Sequence, residues 1–120
     1  MKPPIFDIIS AVAAVKALLG TDPVRFFPFG MAPDEIDMPY AVWQIVSGSP
    51  ENHLNDSPNI DSWVVQVDVY ALKGSTSRTV AEALRDAIEP DAYITAWRGE
   101  SKEDDNIFRY SFDVEFLTAR

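Results

Sequence analysis

Residues 47–71 read Ser47-Gly-Ser-Pro-Glu-Asn-His-Leu-Asn-Asp-Ser-Pro-Asn-Ile-Asp61 followed by Ser62-Trp-Val-Val-Gln-Val-Asp-Val-Tyr-Ala71. The first part is rich in Gly, Pro, Ser, Asn and Asp, which predicts a long exposed loop. In the second part apolar residues occupy the odd positions from 63 to 69, which predicts a strand with one buried face. A structureless loop of about fifteen residues is uncommon in a small domain and is usually functional or disordered. We therefore expect the strand to be central in a sheet and the loop to contact a partner.

Two helices are predicted on either side of this stretch. In the first, apolar residues recur with the spacing of one buried stripe, and Gly20 is placed to end the helix, which should span Ile5 to Leu19. The second follows Lys73-Gly74-Ser75, with Ser75 as the candidate N-cap, and stops at Pro90.

Four further segments have strand patterns, at residues 24–29, 40–46, 93–97 and 108–116. Pro28 cannot donate a backbone hydrogen bond, so the first of them should be an edge strand or should end there. The last segment alternates most clearly, with aromatic residues and valine on one face and polar residues on the other, and it should pair with 93–97 as a hairpin. The sequence therefore predicts one α+β domain over residues 1–120. Its architecture is a two-layer sandwich, a mostly antiparallel sheet of four to five strands with two helices packed on one face.

The composition narrows the possible functions. The 120 residues include 10 basic and 19 acidic side chains, for a formal net charge of −9. Nucleic-acid binding through a broad basic face is therefore not expected. There is no cysteine, which rules out disulfides and thiolate metal sites. No apolar run approaches the roughly 20 residues that span a bilayer, so we expect a soluble protein with no membrane contact.

No arrangement of residues suggests catalysis. The only histidine, His53, has no companion in the predicted loop. Glu51, Asp56 and Asp61 carry oxygen ligands, but their spacing does not match a calcium-binding loop. Asp104-Asp105-Asn106 is typical of a solvated turn. The sequence predicts no catalytic residue, no cofactor and no metal site, and the protein is not expected to be an enzyme. Three tryptophans lie on predicted strands and are expected in the core unless the open sheet face carries one outward: Trp43, Trp63 and Trp97.

Several segments read in series resemble the tail completion, or tail terminator, proteins of long-tailed bacteriophages and prophages. The first is Phe27-Pro28-Phe29-Gly30, and the second runs from Met38-Pro39-Tyr40 through the Ser47-Gly48-Ser49-Pro50-Glu51-Asn52 turn. Asn59-Ile60-Asp61, the valine-rich strand to Tyr70, residues 80–89 and Phe112-Asp113-Val114 complete the resemblance. It covers nearly the whole chain in the expected order.

The resemblance implies a structural virion protein without catalytic residues. Such proteins assemble as a ring, commonly a homo-hexamer, that caps the completed tail tube and presents a joining surface to the head. The implied partners are the tail tube protein and the head–tail connector protein, with DNA passing through the ring without specific binding. The implied location is the head-proximal end of the tail, after assembly in the bacterial host cytoplasm.

Five residues of the predicted loop are the candidate contacts with a neighbouring subunit or the tube protein: Glu51, Asn52, His53, Leu54 and Asn55. These five are chosen because Leu54 is an apolar side chain among polar ones. An equally good interpretation is that Leu54 folds back over the core. The predicted turn from Gly99 to Asn106 is a second candidate contact.

Two other functions fit the same residues. One is a different neck component, such as a head–tail stopper or connector adaptor, which would be distinguished by the partner it binds. The other is a cytosolic α+β module that binds a peptide or small ligand, which would be a monomer or dimer with a concave apolar pocket.

Overall fold

The computed structural model describes residues 3–53, 56–104 and 106–119, and for residues 51–53 and 56–59 it describes the backbone alone. The chain forms, in order, α1 (Ile5–Ser10), α2 (Ala13–Leu19), β1 (Phe26–Pro28), β2 (Tyr40–His53), β3 (Asp56–Ala71), α3 (Gly74–Ile88), β4 (Tyr93–Asp104) and β5 (Ile107–Ala119). The strands make one sheet in the order β1-β2-β3-β5-β4, in which β1 is parallel to β2 and the other pairs are antiparallel. The predicted α+β fold is confirmed. None of the helices in the described ranges is long and apolar enough to cross a membrane.

The predicted central strand is β3, the third of five. Val65, Val67 and Val69 are fully buried, and α3 packs on β3, β4 and β5. Across the ladder, Val67 is opposite Phe112 and Val65 is opposite Val114. These side chains point to the same face because residues two apart in a strand share a face. The core therefore lies between this face and the helices, as predicted.

The prediction of a loop over residues 47–61 is wrong. β2 continues to His53 and β3 begins at Asp56, so most of the segment forms a long antiparallel hairpin. Ser49 pairs with Ser62 and Glu51 with Ile60, with register shifts between Ile45 and Ser47 and between Glu51 and His53. In this pairing the backbone N–H and C=O groups of each strand bond to those of the other strand. These hydrogen bonds outweigh the weak strand propensity of Gly, Ser and Pro.

The first predicted helix is divided into α1 and α2, because Val12 adopts an extended conformation, with φ −97° and ψ 120°. The buried pairs are Ile5 with Ile9 and Val15 with Leu19. In a continuous helix Val15 would lie about 240° around the axis from Ile9 and would miss the stripe. The break turns the second pair back toward the core.

The other boundaries also differ from prediction. α3 begins two residues earlier than predicted, with Lys73 rather than Ser75 at the N-cap and no side-chain capping bond. β1 ends at Pro28 and is an edge strand, as expected. The last two strands do form a hairpin, but β4 extends to Asp104, so the predicted polar turn over residues 98–106 is mostly strand.

Candidate assembly surfaces

The β2–β3 hairpin carries three of the five predicted contact residues. Glu51, Asn52 and His53 form the end of β2, while Leu54 and Asn55 lie outside the described residues. The backbone of Glu51 is paired with Ile60 and that of His53 with Asp56. The hairpin therefore brings three of the five residues together along one strand. Their role in contacting a partner, and the position of Leu54, remain predictions.

The root of this hairpin is fixed by Trp63. Its side chain is half-buried, and its indole Nε1 donates a hydrogen bond of 2.8 Å to Thr118 Oγ1 on β5. Gly48 lies opposite Trp63, and a Cβ at Gly48 would lie 3.2 Å from the indole ring. The absence of a side chain at Gly48 therefore lets the indole lie close to the β2 backbone, and the hairpin is anchored to β5 before it extends further.

The sheet face away from the helices carries a polar network. Arg98 donates to both carboxylate oxygens of Asp113 at 2.6 and 2.7 Å, and to Ser111 Oγ at 3.0 Å. Ser62 donates to Glu115 at 3.1 Å, and Gln66 Nε2 donates to the buried carboxylate of Asp68 at 3.1 and 3.2 Å. Most of these polar groups therefore have hydrogen-bond partners within the subunit. These bonds fix the side-chain positions on a sheet face that the helices do not cover.

Two tyrosines stack at one end of this face. The rings of Tyr40 and Tyr70 lie 5.2 Å apart with an interplanar angle of 22°. Burial raises the pKa of both phenols. The Asp68 carboxylate raises the pKa of Tyr70 further, while Arg109 opposes these two effects through its charge and a hydrogen bond. Both phenols therefore stay protonated in the folded chain at a pH where an ordinary tyrosine ionises.

We predict that an absorbance titration of the folded protein will show part of its tyrosinate signal above the ordinary pKa of about 10. The double variant Tyr40→Phe, Tyr70→Phe should lose that late part. Since the folded chain retains protons that the unfolded chain releases, the free energy of unfolding should fall as the pH rises above 10, and less so in the variant. A late signal of equal size in both proteins would contradict this assignment.

The β4–β5 hairpin ends at the opposite end of the sheet, because β5 runs antiparallel to β3 and its first residues pair with the last residues of β3. Arg109 Nε lies 2.9 Å from Glu103 Oε1, and the Asn106 backbone N–H donates to Asp104 Oδ1 at 2.8 Å. Arg78 of α3 donates to Glu100 at 2.6 Å. This second candidate contact is therefore tied to its own strand and to α3.

A pocket at the β1 edge was missed by the sequence analysis. It has a volume of about 360 Å³ and is bounded by the start of α1, the turn before β1, and β1 and β2. Its apolar lining includes Pro4, Phe6, Pro23, Phe26 and Trp43, and Asp7 contributes a carboxylate. Trp43 is 7% exposed, and its Nε1 has no hydrogen-bond partner among the described residues. The closely spaced prolines and aromatics were the available signal, although they fitted an ordinary edge strand equally well.

The three tryptophans differ in their surroundings. Trp43 is buried in the core cluster as expected, and Trp63 is half-buried at the hairpin root. Trp97 is 39% exposed but packs edge-on against Tyr110 and Phe112, with Arg85 over its ring at 5.7 Å. All three therefore contribute to packing within the subunit.

The described ranges contain no group of three or more His, Asp or Glu side chains that could hold a metal ion. The side chains of Glu51, His53 and Asp56, and all of Asp105, fall outside what the structure describes. The surfaces that are described offer an apolar pocket, two long hairpins and a polar sheet face, all of which suit contacts with other proteins.

The family model for tail completion protein gp17 matches residues 3–119. The chain belongs to this family of phage tail completion proteins. Among solved structures, it is similar to a chain of the virion of a native gene transfer agent particle, with a TM-score of 0.70 and 13% sequence identity. That match covers 97% of this chain and 92% of the other and shows a shared fold. A comparison with curated proteins finds no match.

Proposed function

We propose that this tail completion protein is a structural virion component that caps the finished tail tube as a homo-hexameric ring at the head-proximal end of the tail. Membership of the family supports a role in the tail, and it favours a structural rather than an enzymatic function. The similar fold of a chain from a virion particle is consistent with it. The proposed partners are the tail tube protein on one side and the head–tail connector on the other.

The observation that carries the proposal is the pair of long hairpins at opposite ends of one sheet. β2 and β3 extend to His53 and Asp56 at one end, and β4 and β5 extend to Asp104 and Ile107 at the other. The molecule is 54 Å long and 27 × 25 Å across, consistent with this arrangement. A subunit of this shape can contact one partner with each end while its sides contact neighbouring copies. We assign residues 51–55 to one of these end contacts.

The charge of the chain suits a channel for DNA. Six copies of a chain with net charge −9 carry −54. Carboxylates around a lumen would repel the phosphates, so that DNA could pass without binding. We infer that part of the acidic surface faces the lumen. A ring structure with its acidic residues confined to the outer rim would contradict this inference.

The first test is the solution mass of the purified protein, measured by light scattering over a wide concentration range at low and high salt. A mass near six times 13.4 kDa is expected, and added salt should favour assembly because it screens repulsion between acidic subunits. A protein that is monomeric alone should form rings on added tail tubes, seen by electron microscopy. A protein that is monomeric alone and forms no rings on added tail tubes would contradict the proposed ring.

The same measurement addresses the two competing functions. A protein that binds the portal side rather than tubes would be a stopper or connector adaptor. The pocket at the β1 edge is the feature that favours a ligand-binding module, because its volume is within the range of small-molecule sites. A stable monomer that binds neither tubes nor connectors would support that module.

A further inference from the structure

We propose that neighbouring subunits join by strand pairing, with residues 45–49 at the outer edge of β2 in one copy against residues 116–119 at the outer edge of β5 in the next. This inference rests on the proposed ring and specifies how its copies meet. Three features carry it: two stretches of strand with no strand beside them, their equal height in the sheet, and the absence of charge on both.

The first free edge belongs to β2, because β1 covers only part of that strand. The three residues of β1 pair with Ala41, Val42 and Trp43, whereas β2 continues to His53. Residues 45–50 are all exposed. An unpaired edge of this kind is a template for the addition of another strand.

The backbone groups of this edge point outward at Ile45. The Trp43 carbonyl accepts a hydrogen bond from the Phe29 N–H, and the Ala41 N–H donates to the Arg25 carbonyl. These two residues of β2 therefore turn their backbone groups toward β1. Because alternate residues of a strand bond to the same side, the N–H and C=O of Ile45 point the same way, beyond the end of β1.

The register shift after Ile45 does not close this edge. Val65 and Trp63 are two positions apart on β3 and pair with Ile45 and Gly48. Their backbone groups therefore point to the same side, away from β2, and the groups of Gly48 point away from β3, as those of Ile45 do. Gly48 has no side chain to cover its N–H and C=O. A strand added along this edge can bond at both positions.

The second free edge is the end of β5. β4 begins at Tyr93, which pairs with Glu115, so the last four residues of β5 have β3 on one side and no strand on the other. Trp63 turns its backbone groups toward β5 and pairs with Phe116, so the next residue, Leu117, turns its groups to the open side. The end of β5 can therefore supply a donor and an acceptor to a neighbouring strand.

The two free edges lie at the same height on opposite sides of the sheet. Ser62 of β3 pairs with Ser49 on one side and with Leu117 on the other. β2 and β5 run in the same direction, since each is antiparallel to β3. A contact between two different surfaces repeats from copy to copy and gives a ring when the rotation closes. In a ring whose axis runs along the strands, the two edges would pair in parallel.

Neither free edge carries a charge. Residues 40–50 and 116–119 have no charged side chain, although the chain has a net charge of −9. Charged side chains are a usual device that prevents pairing at a sheet edge. The edge strand β4 has five of them: Arg98, Glu100, Lys102, Glu103 and Asp104. Contact between acidic copies is therefore favoured at β2 and β5 rather than at β4.

Exposed apolar side chains accompany the two free edges. Ile45 and Val46 on β2 and Leu117 on β5 are 39–48% exposed. Phe29, which is bonded to β2 through its N–H, and Met31 are also exposed and extend the apolar surface beside β2. Adjacent exposed apolar side chains mark interaction sites. Strand pairing would remove part of this surface from water together with the backbone groups.

The outward N–H of Leu117 supplies the first test. Leu117→Pro removes this donor, while the hydrogen bonds between β5 and β3 stay, because the Leu117 N–H is not part of that ladder. The variant should raise the concentration at which rings dissociate, measured by light scattering, at least tenfold. Leu117→Ala keeps the N–H and should raise it by a smaller factor.

The matched control is Lys102→Pro on the β4 edge. Lys102 pairs with Phe108, which turns its backbone groups toward β3 as Phe116 does, so the Lys102 N–H also points outward. This variant loses an outward donor on an edge that the proposed contact does not use, and ring dissociation should be unchanged. A circular dichroism spectrum confirms that each variant is folded.

Cross-linking tests the contact without a proline substitution, since the chain contains no cysteine. Ser49 and Leu117 are both opposite Ser62, so their side chains share one sheet face. The single variants Ser49→Cys and Leu117→Cys are treated with a short bis-maleimide, alone and as a mixture. Covalent dimers are expected in the mixture under conditions that give rings. At least tenfold less product is expected from either variant alone, or from Ser49→Cys mixed with Ser101→Cys near the other end of β4.

The outcomes separate this inference from the proposed function. Rings that form normally but give no cross-link between positions 49 and 117, or that respond equally to Leu117→Pro and Lys102→Pro, would overturn the inference and leave the ring intact. Efficient cross-linking of the Ser49→Cys variant to itself or to the tube protein would also overturn it. A protein that forms no ring, even with tail tubes, would overturn both.

Discussion

Replacing Phe112 by alanine is expected to lower the free energy of unfolding by about 3–5 kcal/mol. Phe112 is fully buried at the centre of the sheet, opposite Val67 on β3 and Trp97 on β4. Its ring lies 4.8 Å from that of Trp97 in an edge-on arrangement, so truncation removes an aromatic pair as well as buried surface. The loss is a large part of the roughly 5–15 kcal/mol that stabilises a typical domain.

Urea unfolding followed by circular dichroism measures this change. Leu117→Ala on the same strand is the control, because Leu117 is 48% exposed and its truncation should change stability by no more than about 0.5 kcal/mol. A small loss for Phe112→Ala would show that the sheet centre can collapse around a cavity. Equal losses for the two variants would contradict the assignment of the buried face.

The sheet centre could be predicted from the sequence because its pattern has a simple cause. Val65, Val67 and Val69 are buried because alternate residues share a face, and the same holds for Phe112 and Val114 on the paired strand. Such a pattern depends on the strand itself and on the need to bury apolar surface. The central strand, the final hairpin and the side on which the helices pack follow from it.

The hairpin extensions could not be predicted in the same way. Ser49 and Pro50 are exposed and have low strand propensity, yet they pair with Ser62 and Asp61. They are held by backbone pairing with the other strand of the hairpin. This pairing does not require apolar and polar residues to alternate, so a polar segment gives no periodic signal for it. The break between α1 and α2 at Val12 has a different origin. It depends on where the core lies relative to the buried residues of each helix, which is set by the whole fold.

The candidate surfaces were predicted even less completely. The composition of residues 51–55 marks them as unusual, but it does not indicate that Glu51 to His53 form the end of β2. The pocket depends on Trp43 and Phe6, which are 37 positions apart in the sequence and border the same space only in the folded chain. A relation of this kind cannot be derived from local patterns.

Shortening the β2–β3 hairpin is expected to abolish tail completion while leaving the subunit folded. Ser49 and Ser62 are directly opposite in the ladder, so residues 50–61 can be replaced by Asn-Gly, which favours a tight two-residue hairpin turn. The change keeps Gly48, Trp63 and the hydrogen bond from Trp63 to Thr118. It removes all five predicted contact residues.

The expected loss of infectious particles is large because a tail contact has no substitute. The subunit should stay folded because residues at the end of a hairpin contribute little to the core. In a phage lacking the wild-type gene, we expect the shortened protein to give at least a hundredfold fewer infectious particles than wild type. Its free energy of unfolding should change by no more than about 1–2 kcal/mol, the range of ordinary surface changes and the few lost ladder pairs.

The opposite hairpin supplies the matched control. Lys102 and Phe108 are paired, so residues 103–107 can be replaced by Asn-Gly in the same way. The change removes the exposed Glu103–Arg109 ion pair, which contributes less than about 1 kcal/mol to stability. If one shortened protein still forms rings but fails to join tubes and the other fails to join heads, each hairpin is assigned to its partner. Full activity of the 50–61 variant would remove residues 51–55 from the contact, and the polar sheet face or the β4–β5 end would have to supply it.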